Sequence, residues 1–434
     1  MSAARTATEP LAIDGGPPAF ARRTGVPQPK IGVEEFLALA VRFGFNAAAL
    51  DRLRAAVSDD DLPPGGPTLS RYLTANPSPG SGELYEAAVR AKYGVRHAWG
   101  VSSGSAALHC AMIAVGAGSG TEVICPAIGF VATSMSAALV GATPVFCDVD
   151  ESLHLDPTKL EALITPRTVA VVPTHHWGGV CDLAPVIDIA RRHGIKVIED
   201  CAQSPGASYR GRYVGTHGDL GCFSISAYKI SGAGEGGLLI CDDDALFERA
   251  CQLGEAGGLT RPDRFAPERY PGELFAGTNY RLSDLEATLD LVQLGKLDDV
   301  VAHYRAVSRR IKAQLGQYAE IVWQKSNDPD GDIGYTLRFF PQTHELAARI
   351  AAALGAEGIG AGYRGPNAGP DWHVYRYMYP LFAQHAERCR PELCPVATDL
   401  FDRELRIGLD QWWSEADCDA VAAGIGKVLG AYCG

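Results

Sequence analysis

From about residue 84 the chain alternates short apolar runs with amphipathic stretches. HAWGVSS (97–103) reads as a strand and SAALHCAMIAVG (105–116) as a helix. EVICPA (122–127) is followed by the helical FVATSMSAALVG (130–141), and TPVFCDVD (143–150) by PTKLEALI (157–164). TVAVVPTHH (168–176) leads into LAPVIDIARRHG (183–194), and KVIED (196–200) is a further strand. LGCFSIS (220–226) and GGLLICD (236–242) are two more, flanking a glycine-rich loop. Apolar strands alternating with amphipathic helices predict an α/β fold, a mostly parallel sheet covered on both faces. Ligands of such sheets bind at the carboxyl ends of the strands. After about 296 the texture changes. Long helices at 298–316, 344–360 and 414–432 surround YTLRFFPQT (335–343), which predicts a smaller α+β domain. The expected plan is an N-terminal arm over 1–30, a large domain over 31–295 and a small domain over 296–434. The polar, turn-rich segment 58–83 reads as a surface or active-site loop.

The strand ends hold four candidates. In SAYKISGAGEGG, Lys229 precedes Gly232, Gly234, Gly236 and Gly237. A nucleotide-binding loop needs the lysine after the glycines and a helix beyond, so that reading fails. The glycines serve the lysine by allowing a tight turn around its amine, or the segment is a flexible hairpin with an incidental lysine. Asp200 ends the VIED strand, as a crevice carboxylate or as a helix cap. Gly104 and Ser105 open a helix, where free N–H groups suit an anion or a capping serine needs no ligand. Phe130 stands past a strand end, as core packing or as a platform for a flat ring. A lysine amine, an anion cradle, an aromatic plate and a buried carboxylate together match what pyridoxal 5′-phosphate requires. The lysine binds the aldehyde, the carboxylate keeps the pyridine nitrogen protonated, and the helix start takes the phosphate.

Composition narrows the class. The 434 residues suffice for two or three domains, and the formal net charge of −12 argues against nucleic acid and acidic membranes as partners. Twelve cysteines sit mostly inside apolar runs, which predicts buried free thiols. Cys389 and Cys394 lack the companions of a zinc site, so no metal is expected. No apolar stretch approaches the ~18 residues of a membrane span, and the cytoplasm is the expected compartment.

At this point the chain resembles the DegT/StrS family of pyridoxal-phosphate-dependent sugar aminotransferases, of the aspartate aminotransferase fold (fold type I). SSGSAALH (102–109) is similar to that family's SSGTAAL, and GFVATSMSAALVGATPVFCDVD (129–150) to its TFVATANAV…GATPVFVDVD. VIEDCAQSPGASYRGRYVGTHGDLGCFSISAYK (197–229) resembles VIEDAAQAHGA…GDIGCFSF…K, and GTNYRLSDLEATLDLVQLGKLD (277–298) resembles GYNYRMSELQAA…QLEKLD. The resemblance implies that Lys229 carries the cofactor and shuttles protons, and that Asp200 pairs with the ring nitrogen. It places Gln203 near the cofactor's 3′-oxygen, Ser224 with Gly104 and Ser105 on the phosphate, and Phe130 on the ring. Asn279 would reach the phosphate of a neighbouring subunit, so the expected assembly is a homodimer with shared sites. The implied reaction moves an amino group from an amino acid, glutamate or glutamine, to a keto or aldehyde sugar or cyclitol, in amino-sugar or antibiotic biosynthesis. A sugar dehydratase or deaminase of the same fold and a non-catalytic cofactor-binding regulator are the alternatives. The dehydratase subgroup has histidine at the lysine position, and Lys229 argues against it.

The chain departs from the pattern at Ser204 and Pro205, where the family has histidine after AQ. His175, Trp177, Arg338, His373 and Arg403 are candidates for the substrate side, with Arg376 beside them and ion pairing as the competing role for each arginine. His175 and His176 are adjacent, so on an extended chain they face opposite ways and cannot share a metal.

Overall fold

A computed structural model describes residues 10–20, 29–70, 77–257 and 275–433. The chain divides into two compact units, residues 1–80 and 81–434. In the first, helices α1 (Val33–Arg42) and α2 (Ala47–Ala56) occupy a stretch to which the sequence reading gave no element. Both start at proper caps: Glu35 accepts the Gly32 N–H at 2.7 Å, and Asn46 accepts that of Ala49 at 2.9 Å. Asp59, in a single 3₁₀ turn, accepts the Val33 N–H at 2.9 Å, so the acidic start of the predicted 58–83 loop is fastened to α1. Residues 71–76 of that loop, and 1–9 and 21–28 of the predicted arm, lie outside the described residues.

The second unit opens with α3 (Ser81–Tyr93), β1 (His97–Val101), α4 (Gly104–Ala114), β2 (Glu122–Pro126), α5 (Ala132–Leu139) and β3 (Thr143–Cys147). There follow α6 (Pro157–Leu160), β4 (Thr168–Val171), α7 (Leu183–His193), β5 (Lys196–Asp200), and the hairpin β6 (Ser208–Tyr209) and β7 (Arg212–Tyr213). Then come β8 (Leu220–Ser224), β9 (Gly237–Cys241), α8 (Asp244–Gly254) and α9 (Asp284–Lys312). Seven strands form one sheet in the order β1-β9-β8-β5-β4-β2-β3. β9 runs antiparallel to both neighbours and the other pairings are parallel, as the alternating pattern predicted. β2, β8 and β9 are buried along their whole length, which is why they read as unbroken apolar runs. α7 shows how the sequence fixes a helix. Leu183, Val186, Ile189 and Ala190 make one buried stripe, and Gly194 closes the helix at φ +67°.

The chain ends in β10 (Ile321–Trp323), β11 (Thr336–Pro341), α10 (His344–Ala356), β12 (Ala361–Tyr363), α11 (Pro395–Arg403), β13 (Leu405–Gly408) and α12 (Glu415–Tyr432). Its four strands form an antiparallel sheet, β10-β11-β13-β12, over an apolar cluster that runs from Val307 to Cys433. α9 passes unbroken through the expected boundary at 295/296 and leads into this region. All twelve cysteines are buried. No helix among the described residues is long and apolar enough to cross a membrane.

Candidate active site

The parallel register brings the carboxyl ends of β5 and β8 side by side. Asp200 is the last residue of β5 and Ser224 the last of β8. Five residues on, Lys229 closes a tight turn: its N–H donates to Ser226 O at 2.8 Å, and the Ala227 N–H donates to Gly234 O at 2.8 Å. The glycine-rich stretch is thus a hydrogen-bonded turn between two core strands. Gly237 is needed for close approach, since a Cβ there would lie 2.1 Å from Ser103 O. That contact brings β9 against the start of α4. Gly104 is in turn pressed on Ser224, with 2.9 Å between its would-be Cβ and the serine Cβ.

These elements enclose a cavity of about 140 Å³. Gly104, Ser105, Phe130, Asp200, Gln203, Ser224 and Lys229 all line it, together with Thr174, Ser226, Tyr228 and Glu235. Ser103 caps α4 by accepting the Ala106 N–H at 3.0 Å, and the helix start turns its positive end toward Ser224. Asp200 is buried. Its two oxygens accept from Thr133 Oγ1 at 2.6 Å and from the Ala202 N–H at 3.1 Å. Burial draws the Lys229 amine below its usual range, partly offset by the charge of Asp200. A depressed amine is what a nucleophilic or proton-shuttling lysine needs. Thr133 is a residue the sequence reading passed over, although it lies in the first turn of α5, three residues after Phe130.

A second cavity shares Ala202, Gln203, Tyr228 and Lys229 with the first and adds Pro205, Tyr304, Tyr335, His373 and Gln411. His373 Nδ1 lies 2.8 Å from Asp371 Oδ1, and its ring is 5.3 Å from that of Phe130. Burial acts to raise the Asp371 carboxyl, but the hydrogen bonds from His373 and the charges of His373 and Arg364 outweigh it and hold it at about 2. Trp177 takes a left-handed backbone, φ +50°, rare for a bulky residue. Gln203 Oε1 accepts its N–H at 3.1 Å, and the Arg338 guanidinium covers its ring at 3.4 Å. Arg338 is itself buried and paired with Glu404 at 2.5 Å.

His175 and His176 do diverge. His175 is turned into the core, where Nδ1 accepts the Cys181 N–H and Nε2 meets Glu199 at 3.1 Å. Burial acts to raise Glu199, but His175 and the Gly218 and Gly215 N–H groups hold it below the usual carboxylate range. His175, Glu199 and Cys201 lie close enough to hold a metal, but the first two are already engaged by protein hydrogen bonds. His176 instead packs beside Trp177 and His373, buried and kept uncharged first by burial and then by the nearby positive charges of His373 and Arg338. Both of its ring nitrogens lack a partner. Arg403 is held by Asp399 and the Pro341 carbonyl, and Arg376 by Asp402. Neither arginine lines these two cavities, nor does His175. Ser204, at the departure from the family pattern, ties loops together by donating to His175 O and Gly179 O. Asn279 is exposed, its Oδ1 on the Arg281 N–H at 3.1 Å, and it too lines neither cavity.

Sheet order, antiparallel β9 and a lysine between β8 and β9 have the α/β plan of a fold type I enzyme. The chain belongs to the DegT/DnrJ/EryC1/StrS aminotransferase family, whose sequence model matches residues 80–426. It is 41% identical over 341 residues to the GDP-perosamine synthase of Caulobacter vibrioides, covering 77% of this chain and 86% of that protein. It is 34% identical to the UDP-N-acetyl-3-dehydro-alpha-D-glucosamine 3-aminotransferase of Acidithiobacillus ferrooxidans, over 80% of this chain and 88% of that one. Among solved structures, 3-amino-5-hydroxybenzoic acid synthase superposes with a TM-score of 0.68 at 26% identity, covering 81% of this chain and 91% of that one. The aminotransferase TlmJ from Streptoalloteichus hindustanus gives 0.68 at 25%, covering 94% and 99%.

Proposed function

We propose that this enzyme uses pyridoxal 5′-phosphate to move an amino group from an amino acid, glutamate or glutamine, to the carbonyl of a nucleotide-linked keto sugar. The observation that carries this reading is the convergence of Lys229, Asp200 and the start of α4 on one cavity. The nucleotide-linked sugar rests on the names of the two curated relatives.

The residues fit the cofactor. Glycine at 104 and 237 lets β8 and β9 pack against the start of α4, which brings Ser224 beside its N–H groups, and Phe130 supplies a flat wall. When bound, the cofactor supplies an aldehyde for amine exchange and a ring that accepts electrons. Gly104, Ser105 and Ser224 hold the phosphate, and Phe130 covers the ring and excludes water. Asp200, fixed by Thr133 and the Ala202 N–H, keeps a proton on the ring nitrogen. Gln203 spends its Oε1 on Trp177, which leaves its amide N–H₂ for the 3′-oxygen. Lys229 Nζ would carry a proton between the donor's α-carbon and the cofactor's aldehyde carbon (C4′) on one face, and the reverse transfer would serve the sugar. Ping-pong kinetics follow. His373, oriented by Asp371, stands on the sugar side. The small domain, in this reading, begins within α9.

We further propose a homodimer in which Asn279 completes the site of a second copy, since in its own chain it is exposed and outside the cavity. The test mixes Lys229→Ala chains with Asn279→Trp chains, each inactive alone. Re-equilibrated dimers should regain activity, because each mixed dimer holds one intact site; mixtures that stay inactive sink the shared-site assignment. The reaction is tested by incubation with glutamate or glutamine and GDP- or UDP-linked keto sugars. Keto acid and amino sugar should form in equal amounts, whereas sugar turnover without keto acid would identify a dehydratase or deaminase.

A further inference from the structure

Residues 283–286, Ser-Asp-Leu-Glu, have the spacing of a helix capping box, in which Ser283 and Glu286 would satisfy each other's backbone N–H groups. The box is not formed, and Ser283 makes no cap hydrogen bond. The Glu286 side chain instead reaches across to the lysine turn. A Cβ added at Gly234 would sit 2.3 Å from Glu286 Oε2, so the carboxylate rests directly on that glycine's backbone. The N–H groups of Gly234 and Glu235 favour its charged form, against burial and the charge of Glu235, which together raise it. Glu286 Oε1 is buried without a hydrogen-bond partner. One residue pair links this contact to the amine: Gly234 O holds the Ala227 N–H, and the same turn is closed by the Lys229 N–H on Ser226 O. Two residues further along the loop, a Cβ at Gly236 would meet Leu282 at 3.0 Å, so the start of α9 braces the turn at two points.

We propose that Glu286 is a positioning residue for Lys229, its carboxylate fixing the Gly234–Glu235 backbone and through it the turn that presents the amine. The proposal rests on the reading that Lys229 bears the cofactor. Glu286 does not act on substrate or cofactor itself. Gly234 is glycine because the carboxylate occupies the place of its side chain.

The first measurement uses the cofactor-free full-length chain, so its outcome is independent of the Lys229 reading. Glu286→Ala should raise amide hydrogen exchange across 227–237 by about tenfold or more, with exchange in β5 unchanged. Glu286→Gln, which keeps an acceptor oxygen of the same reach, should stay near wild type. The second uses protein loaded with pyridoxal phosphate. Glu286→Ala should lower kcat by about tenfold with little change in the amino-donor KM, and shift the pH midpoint of the visible absorbance band. Unchanged exchange across the turn in Glu286→Ala, or a glutamine variant as impaired as alanine, overturns the proposal. If the turn loosens as expected but borohydride trapping finds no cofactor on Lys229, the functional reading fails and the structural brace stands.

Discussion

The cavity around Asp200 and the one around His373 meet at Lys229, yet they are built in different ways. The first is made of short side chains at strand ends and a helix start: Asp200, Ser224, Gly104, Ser105. Backbone topology alone puts them together, because parallel strands deliver their carboxyl ends to one edge. The second is lined by longer side chains that distant segments bring together: Tyr304, Tyr335, His373 and Gln411. The Tyr335 hydroxyl donates to Gln203 O at 3.1 Å, and His373 is held by Asp371 at 2.8 Å. A site of the first kind tolerates change in its surroundings and is sensitive at single atoms. A site of the second kind can be retuned by any member of its network, which suits a family whose members act on different sugars.

The sharpest way to break the comparison is at the shared residue. Lys229→Ala should cost at least about a thousandfold in turnover, in both half-reactions, while the protein still binds pyridoxal phosphate through the α4 end. Wild-type turnover in this variant would overturn the assignment of both cavities. Next comes Asp200→Asn, which keeps the shape but removes the charge at the ring nitrogen. A fall of about a hundredfold in kcat is expected, from electrostatic terms of a few kcal/mol. Thr133→Val should fall less, by roughly tenfold, because it only orients Asp200. Equal losses in the two would mean that Thr133 touches the cofactor directly.

On the sugar side the effects should be smaller and fall on a different constant. Asp371→Asn weakens the contact that orients His373 and frees its ring to rotate. The KM for the keto sugar should rise by roughly threefold to tenfold, with the amino-donor half-reaction unchanged. The two half-reactions are separated by single-turnover measurements with each substrate alone. A variant that slows the amino-donor half as much would place His373 with the cofactor cavity instead.

The same contrast explains what was legible in the sequence. Lys229, Asp200, Gly104, Ser105 and Phe130 lie at fixed offsets from strand ends that the apolar periodicity locates, and the family resemblance added Ser224. All six fell into one cavity. The substrate-side residues had no such anchor. His175 was as good a candidate as His176 until the chain turned one into the core and the other toward His373. Arg338 and Arg403 could not be told from ion-pairing arginines, because Glu404 and Asp399 become their partners only in the folded sheet and helix. The Glu286 contact was hidden for another reason: its sequence spacing signals a local cap, and the tertiary contact with Gly234 overrides it. Helices α1 and α2 were missed although Asn46 and the Glu35 spacing mark their starts, because they lie between the arm at 1–30 and the loop at 58–83, ahead of the regular pattern that begins at about 84.

The smallest effect on turnover is expected one helical turn behind Glu286. Asp290 is buried, and neither of its carboxylate oxygens has a hydrogen-bond partner. Burial first, and then the charge of Glu286, push it up to about 8. Tyr85 on α3 faces it and is itself raised by burial and by Asp290. The unfolded chain gives up this proton near pH 4, at the ordinary carboxylate value. From there to about pH 8 the folded protein holds one proton more than the unfolded chain. Stability from this group therefore falls as pH rises from about 4 to about 8, and is level above that. Asp290→Asn removes the ionisable group and keeps the shape. Its gain in stability should be small at pH 5 and grow to roughly 1–3 kcal/mol by pH 8, with kcat within about twofold of wild type. Urea unfolding midpoints of the cofactor-free protein, taken at fixed protein concentration across pH 5 to 9, measure this. A gain that does not grow with pH would show that Asp290 is already ionised in the folded protein. A loss of stability instead would mean that its oxygens are used, with the Tyr85 hydroxyl as the first donor to examine.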